Sequence, residues 1–366
     1  MELSVTQENL TRALSNVGRV ASNKTQLPIL SNILLRTDGN RLLVAATNLE
    51  IASTHLIGAK IITPGSITIP ARLASDFVAS LPKGTVELKV VDNRLTITSG
   101  SYKSVINGVI ADEFPELPTI DETSSIQYSI RPADFKQAVG QTIITSSSDA
   151  TRPMLTGVYW HSFEGYLYLA ATDGYRLSER RLVETTSEVA AIIPTTTLQE
   201  VLRVLTDDVT EVDILFDETQ VRFRVGEAEL TSRLIDGNFP PYRELIPKES
   251  ETNMVLKASE FVRITKIAGL FARESGGSVT LTADQEKQTL SIHSIASELG
   301  ENTSSADAEV TADGQVTLNS RYLADALSVV EGDTVVFRFS GKLAPCVLSA
   351  KGDDVNYKHV IMPLKS

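Results

Sequence analysis

Apolar residues recur at every second position in Val86-Glu87-Leu88-Lys89-Val90, Val221-Arg222-Phe223-Arg224-Val225 and Val335-Val336-Phe337-Arg338-Phe339. That period predicts half-buried, antiparallel strands. Elsewhere the spacing is helical: Leu10, Leu14, Val17; Leu73, Phe77, Leu81; Phe135, Val139, Ile143; Leu198, Val201, Leu205; Phe261, Ile264, Ala268; and Leu323, Leu327, Val330. These stripes predict six helices, in windows 6–18, 71–81, 132–148, 195–206, 257–275 and 319–330. Pro132 suits a first helical position, and Thr197-Leu198-Gln199-Glu200 fits a capping box. Six helices among many strands make an α+β protein in which each helix lays its apolar stripe on a sheet.

The elements come in repeats. Leu27-Pro28-Ile29-Leu30 returns as Arg152-Pro153-Met154-Leu155, and Ala45-Ala46-Thr47-Asn48 as Ala170-Ala171-Thr172-Asp173, both 125 residues on. Thr68-Ile69-Pro70-Ala71 matches Ile192-Ile193-Pro194-Thr195 at 124, and Glu113-Phe114-Pro115 resembles Asn238-Phe239-Pro240 at 125. A more diverged third copy places Val316-Thr317-Leu318-Asn319 a further 124 residues on and closes on Val360-Ile361-Met362-Pro363, where the earlier copies carry Val109-Ile110 and Leu234-Ile235. A fixed period of this length marks three copies of one unit. The expected domains are 1–122, 123–250 and 251–366.

Composition narrows the chemistry. The 366 residues are 42% hydrophobic and 22% charged, without an apolar run near the ~18 residues of a membrane helix. The stretch Met1 to Thr6 lacks the basic and apolar parts of a signal peptide, and the single Cys346 has no partner for an internal disulfide, which together point to the cytoplasm. His55, His161, His293 and His359 show no zinc spacing, and no GxxxxGK[ST], GxGxxG or GxSxG occurs. No metal or cofactor is implied. Asp173 beside Arg176 is the best catalytic pair on offer, although an Asp-Gly dipeptide after a strand more often makes a turn.

The net charge of −12 argues against a protein coated in phosphate-binding groups. The helical windows nevertheless hold nine basic and seven acidic residues, so strands and loops carry the whole excess negative charge. If three copies set their helices on one side, these cations converge, as a polyanion requires. Lysine and arginine also suit helix surfaces by propensity alone.

Six fragments now stand in a particular order: Leu27-Pro28-Ile29-Leu30, Ile69-Pro70-Ala71-Arg72, Asp112-Glu113-Phe114-Pro115, Ala171-Thr172-Asp173-Gly174-Tyr175-Arg176-Leu177, Asp236-Gly237-Asn238-Phe239-Pro240 and Val360-Ile361-Met362-Pro363-Leu364. In order, spacing and total length the chain resembles the bacterial sliding clamps, the β subunits of DNA polymerase III. The resemblance implies the DNA-clamp fold: three repeated α+β domains, helices lining a central pore, antiparallel sheets outside, and a head-to-tail homodimeric ring around double-stranded DNA. It implies no catalysis. The implied partners are DNA of any sequence, a second copy of the chain, the DNA polymerase III α subunit, the clamp loader and other proteins with clamp-binding tails. Weak phosphate contacts, insensitive to base sequence, suit a ring that slides.

The same resemblance assigns residues. A partner-peptide pocket would be formed by Leu155, Thr172, Gly174, Tyr175, Arg176, Leu177, Pro240, Leu245, Asn319, Tyr322, Val347, Val360, Met362, Pro363 and Leu364. DNA-facing cations would be Arg12, Lys24, Lys136, Arg152, Arg203, Arg263, Lys266 and Arg321. At the dimer interface Leu270 and Phe271 would face Ile106, with Lys103 opposing an acidic stretch containing Glu298 and Glu301. The chain departs from the family at Ser104, where an aromatic residue is common, at Glu244, where arginine is common, at Pro153-Met154, and at its ending Lys365-Ser366. Two other functions remain open to the sequence: a repeat scaffold that binds only proteins, and a hydrolase built on Asp173 and Arg176.

Overall fold

A computed structural model describes residues 1–21, 27–123, 125–298, 300–353 and 355–365. The first repeat runs β1 (Glu2–Thr6), α1 (Gln7–Val17), β2 (Asn32–Asp38), β3 (Arg41–Thr47), β4 (Ile51–Gly58), β5 (Lys60–Thr63), β6 (Ser66–Pro70), α2 (Ala71–Ala79), β7 (Thr85–Val91), β8 (Arg94–Ser99) and β9 (Tyr102–Asn107). The second runs β10 (Ile126–Ile130), α3 (Pro132–Ile143), β11 (Gly157–Phe163), β12 (Tyr166–Thr172), β13 (Arg176–Glu184), β14 (Ala190–Pro194), α4 (Thr195–Val204), β15 (Val212–Phe216), β16 (Gln220–Val225) and β17 (Ala228–Arg233). The third runs β18 (Thr252–Lys257), α5 (Ala258–Phe271), β19 (Ser278–Asp284), β20 (Thr289–Ala296), β21 (Gly300–Val310), β22 (Gly314–Asn319), α6 (Ser320–Val329), β23 (Thr334–Phe339), β24 (Cys346–Ala350) and β25 (Tyr357–Ile361). Each repeat is therefore βαβββ written twice, with β5 the one addition.

Each repeat spreads its strands over two four-stranded antiparallel blocks. The first blocks are β1-β7-β8-β9, β10-β15-β16-β17 and β18-β23-β24-β25; the second are β6-β2-β3-β4, β14-β11-β12-β13 and β22-β19-β20-β21. The described residues form two compact units, 1–133 with 196–234 and 134–195 with 235–366. In the first unit β17 pairs with β4, Leu230 opposite Ser53, so a block of the second repeat continues a block of the first as one eight-stranded sheet. In the second unit β25 pairs with β13, His359 opposite Ser178, by the same rule one repeat later.

Helix packing follows the stripes, with corrections. In the first unit α1 buries Leu10, Ala13, Leu14 and Val17 against α2 and β4. Its N-terminus is capped by the Thr6 hydroxyl, and Gln7 ties it to α2 by donating from Nε2 to the Val78 carbonyl at 2.9 Å. The buried face of α2 is Ala71, Ala74 and Val78, one position round from the expected Leu73 and Phe77, and Leu73 is exposed. Small residues win there because α1 and α2 pack closely. Pro132 does open α3. The capping box at Thr197 does not form: α4 begins at Thr195, and the buried Thr197 hydroxyl bonds that of Ser232 at 2.7 Å. In the second unit α5 and α6 pack together and bury Phe261, Ile264, Ala268, Leu323 and Leu327 in one core with Phe337 and Phe339.

The observed helices are shorter than the windows, which also alters the charge picture. Lys257 is a cap residue and Arg273 and Glu274 lie beyond α5, so the helices keep a surplus of a single positive charge. Three of the helix cations are paired locally, Arg72 with Asp76, Arg203 with Glu200 and Arg263 with Glu260.

Candidate functional site

Register in the second unit aligns a row of side chains across four strands. Thr172 on β12 lies opposite Leu177 on β13, Leu177 opposite Val360 on β25, and Val360 opposite Val347 on β24. Directly opposed residues share a sheet face and touch. Leu177, Val360 and Val347 form a buried cluster with Ala170 and Tyr242, against which Tyr159, Phe239 and Ile246 pack. Three of the segments named from sequence thus meet in one apolar row. Leu245 closes the short 3-10 turn Tyr242–Leu245 and Pro240 lies just before it, and both are exposed. Leu155 is buried in its own short turn next to β11.

One end of the row is closed by the β12–β13 turn. The Thr172 hydroxyl donates to the Arg176 carbonyl at 2.7 Å and accepts from the Gly174 amide, while Asp173 accepts from the amides of Tyr175 and Arg176. Gly174 holds φ of +93°, a conformation that glycine adopts without a Cβ penalty. Tyr175 is left 60% exposed at the rim. Asp173 thereby holds a turn and an ion pair with Arg176 at 3.1 Å, the structural role that an Asp-Gly dipeptide after a strand suggests.

Arg176 joins two parts of the site. Its guanidinium lies 2.6 Å from Asp325 on α6 and 4.5 Å from the ring centroid of Tyr322. Burial, with the nearby Asp173 carboxylate, raises the Tyr322 phenol above its ordinary range. Asn319 caps α6 by accepting from the Arg321 amide. The chain's last residues then lie across these elements: the Met362 amide donates to the Tyr175 carbonyl at 2.9 Å and the Leu364 amide to the Thr317 carbonyl at 2.8 Å. Met362, Pro363 and Leu364 remain half-buried, an apolar and partly open surface. An apolar surface with a few placed polar groups suits the anchoring of short apolar peptides. Asp325 and Tyr242 escaped the sequence reading, because nothing in local spacing marks a carboxylate 149 residues from its arginine.

The expected cations are surface residues. Arg12, Lys136, Arg152, Arg203, Arg263, Lys266 and Arg321 are all exposed, and Lys24 falls outside the described residues. Among the described residues Arg12, Lys136, Lys266 and Arg321 have no ion-pair partner. Arg152 pairs with Asp149 at 3.3 Å and also approaches Gly174, 3.6 Å from where a Cβ would stand.

Among the open strand edges of the described residues, two carry the expected interface residues. In the first unit β9 ends its sheet, with exposed Lys103 and Val105 on one face and Ile106, 2% exposed, turned into the core. Ile106 therefore offers no surface of its own; Val105 is the apolar residue that does. In the second unit β21 pairs with β20 over its first eight residues and with β18 only from Ala308. Glu298 and Glu301 are exposed there, as is Leu270 on α5, while Phe271 is half-buried.

Repeated βαβββ units whose sheets run on from one repeat to the next define a three-part α+β architecture of the clamp class. Comparison with known proteins agrees. Residues 1–118, 129–241 and 243–365 match the models of the N-terminal, central and C-terminal domains of the DNA polymerase III beta subunit. The beta sliding clamp of Bacillus subtilis is 31% identical over 381 residues, covering all of both chains. The crystal structure of the Bacillus subtilis DNA polymerase sliding clamp superposes with a TM-score of 0.95 at 30% identity, covering 100% of this chain and 99% of that one. A Pseudomonas aeruginosa sliding clamp bound to griselimycin gives 0.93 at 25% identity, with both chains fully covered. The chain belongs to the bacterial beta sliding clamp family. It is a DNA sliding clamp, a processivity factor with no catalytic activity of its own.

Proposed function

We propose that two copies of this chain close head to tail into a ring that encircles duplex DNA, and that the row beneath the C-terminal tail holds the peptide tails of replication and repair proteins. The observation that carries the ring is the pairing rule inside the chain. The first block of each later repeat adds its last strand, β17 or β25, to the last strand of the preceding repeat's second block, β4 or β13. The same step leaves β9 and β21 over, and a second copy supplies the missing partner to each. That contact joins unlike surfaces, so it is heterologous and must close or propagate. The family resemblance sets the number at two.

Lys103 and Val105 on one edge face Glu298, Glu301, Leu270 and Phe271 beside the other, with Ile106 holding β9 from the core side. The chain reads as three clamp domains, 1–122, 123–250 and 251–366, working in the cytoplasm. Arg12, Lys24, Lys136, Arg152, Arg203, Arg263, Lys266 and Arg321 form the DNA-facing set. The acidic residues that share the helices with most of them leave a small net charge, which fits a ring held on by topology, since a strongly basic bore would grip and not slide. The partners are the DNA polymerase III α subunit, the clamp loader and other proteins carrying apolar tails. The pocket reading is supported by the apolar row, by the half-open tail, and by the griselimycin-bound relative. Changing Leu270 and Phe271 together to Ala tests the ring: light scattering should report monomers, and an unchanged dimer mass would refute the edge assignment.

A further inference from the structure

The turn Tyr242–Leu245 is fastened by polar side chains, Glu179, Arg243 and His161, that the apolar row and the tail do not use. Glu179 follows Leu177 on β13 by two residues, so the two side chains share one sheet face. It is 6% exposed. Its carboxylate accepts from the Tyr242 hydroxyl and lies 2.8 Å from the Arg243 guanidinium. That hydroxyl is also 2.7 Å from Nε2 of His161. Burial, aided by the Arg243 charge, pushes His161 down to about 4, so the ring is neutral and donates from Nε2 to Tyr242 while Tyr242 donates to Glu179.

Aromatic stacking holds the same turn from its other side. Arg243 lies 3.7 Å from the ring centroid of Phe163 and 4.2 Å from that of Tyr168. His161 stacks on Tyr159 at 4.7 Å, and Tyr159 on Phe239 at 4.9 Å. Phe239, Tyr242 and Arg243, which bracket Pro240, are therefore all bound to β11, β12 or β13. A buried carboxylate paired with a half-buried guanidinium is a demanding arrangement: Glu179 alone would be an uncompensated charge in the interior, whereas removing both charges costs little. Nothing in the apolar row requires such a pair, since Ala170 and Leu177 would bury equally well beneath an uncharged turn.

We propose that Glu179, Tyr242 and Arg243 are positioning residues of the peptide pocket, locking the turn that carries Pro240 and Leu245 against the strand that supplies Leu177. The inference deepens the pocket reading and rests on it. The wall is built before a partner arrives, so binding spends little on ordering it.

Griselimycin, titrated calorimetrically into the full chain and its variants, is the test. Arg243→Met strands the Glu179 carboxylate and should weaken binding about tenfold or more. Hydrogen exchange at the amides of Tyr242 and Ile246, which close the turn on Pro240 and Arg243, should quicken in the free protein. Tyr242→Phe keeps the ring in the cluster but unties the hydroxyl, and should cost about fivefold. The pair Glu179→Gln with Arg243→Met removes the stranded charge and should recover binding to within about threefold of the unaltered chain. A lowered melting temperature with unchanged affinity in Arg243→Met, or no recovery in the double variant, would overturn the inference while leaving the pocket standing. Failure of the unaltered chain to bind griselimycin would remove the pocket reading and this inference together.

Discussion

Deleting residues 362–366 separates the pocket from the ring. The deletion takes away two backbone hydrogen bonds, from Met362 to Tyr175 and from Leu364 to Thr317, each contributing about 0.5–1.5 kcal/mol net. It also exposes what the half-buried Met362 and Leu364 cover, about 1 kcal/mol for each side chain at half the usual burial value. The second unit should lose about 3–5 kcal/mol, within what a folded domain of ordinary stability withstands. Neither β9 nor β21 is touched, so dimer mass should not change. The row Leu177, Val360, Val347 loses the apolar segment beside it, and griselimycin affinity should fall about a hundredfold, equivalent to roughly 2.7 kcal/mol. Calorimetric titration, with circular dichroism to confirm folding, reads both quantities. A folded, dimeric deletion variant that binds within twofold of the full chain would refute the pocket assignment.

Other outcomes follow from the same geometry. Changing Arg263 and Lys266 to Gln should reduce the slope of log K against log salt for DNA by up to about 2, near 0.9 for each phosphate no longer neutralised; an unaltered slope would remove both from the DNA-facing set. Burial, with the Arg176 charge, pushes His359 down to about 3, and His161 stands at about 4. Both are depressed below the unfolded value, so the unfolded chain binds more protons: the stability they protect is complete above about pH 6.5 and drains away as pH falls toward 4, at up to about 2.7 kcal/mol per unit while both titrate. Equal denaturant midpoints at pH 7 and pH 5 would contradict this. Leu49 holds φ of +75° where the second repeat has Gly174, so Leu49→Gly should stabilise the first unit by about 0.5–1 kcal/mol, and a lowered melting temperature would show that its side chain outweighs the strain.

Most of the architecture was legible because the period is fixed and the stripes are long. Val86–Val90 and Val335–Phe339 alternate as half-buried strands should, burying Val86, Leu88, Val335, Phe337 and Phe339. The failures have local causes. Thr197 fits a cap by composition, but its hydroxyl is needed inside the fold by Ser232. On α2 the close approach of α1 selects Ala71 and Ala74 over the larger Leu73. Ile106 looks like an interface residue until strand alternation turns it inward. The joining of β17 to β4 and of β25 to β13 left no mark in the sequence, since a sheet edge that continues reads like one that ends. The residues of the apolar row were named through the family resemblance, whereas Glu179, Arg243 and Asp325 were not, because distant charge partners are paired by the fold and not by spacing.

On the proposed reading DNA threads the ring, and topology retains the protein. Loaded onto a nicked circular plasmid by a clamp loader and freed of unbound protein, the clamp should stay with the circle through gel filtration at moderate salt, and leave when a single cut makes the plasmid linear. Retention that does not depend on closed DNA would contradict it.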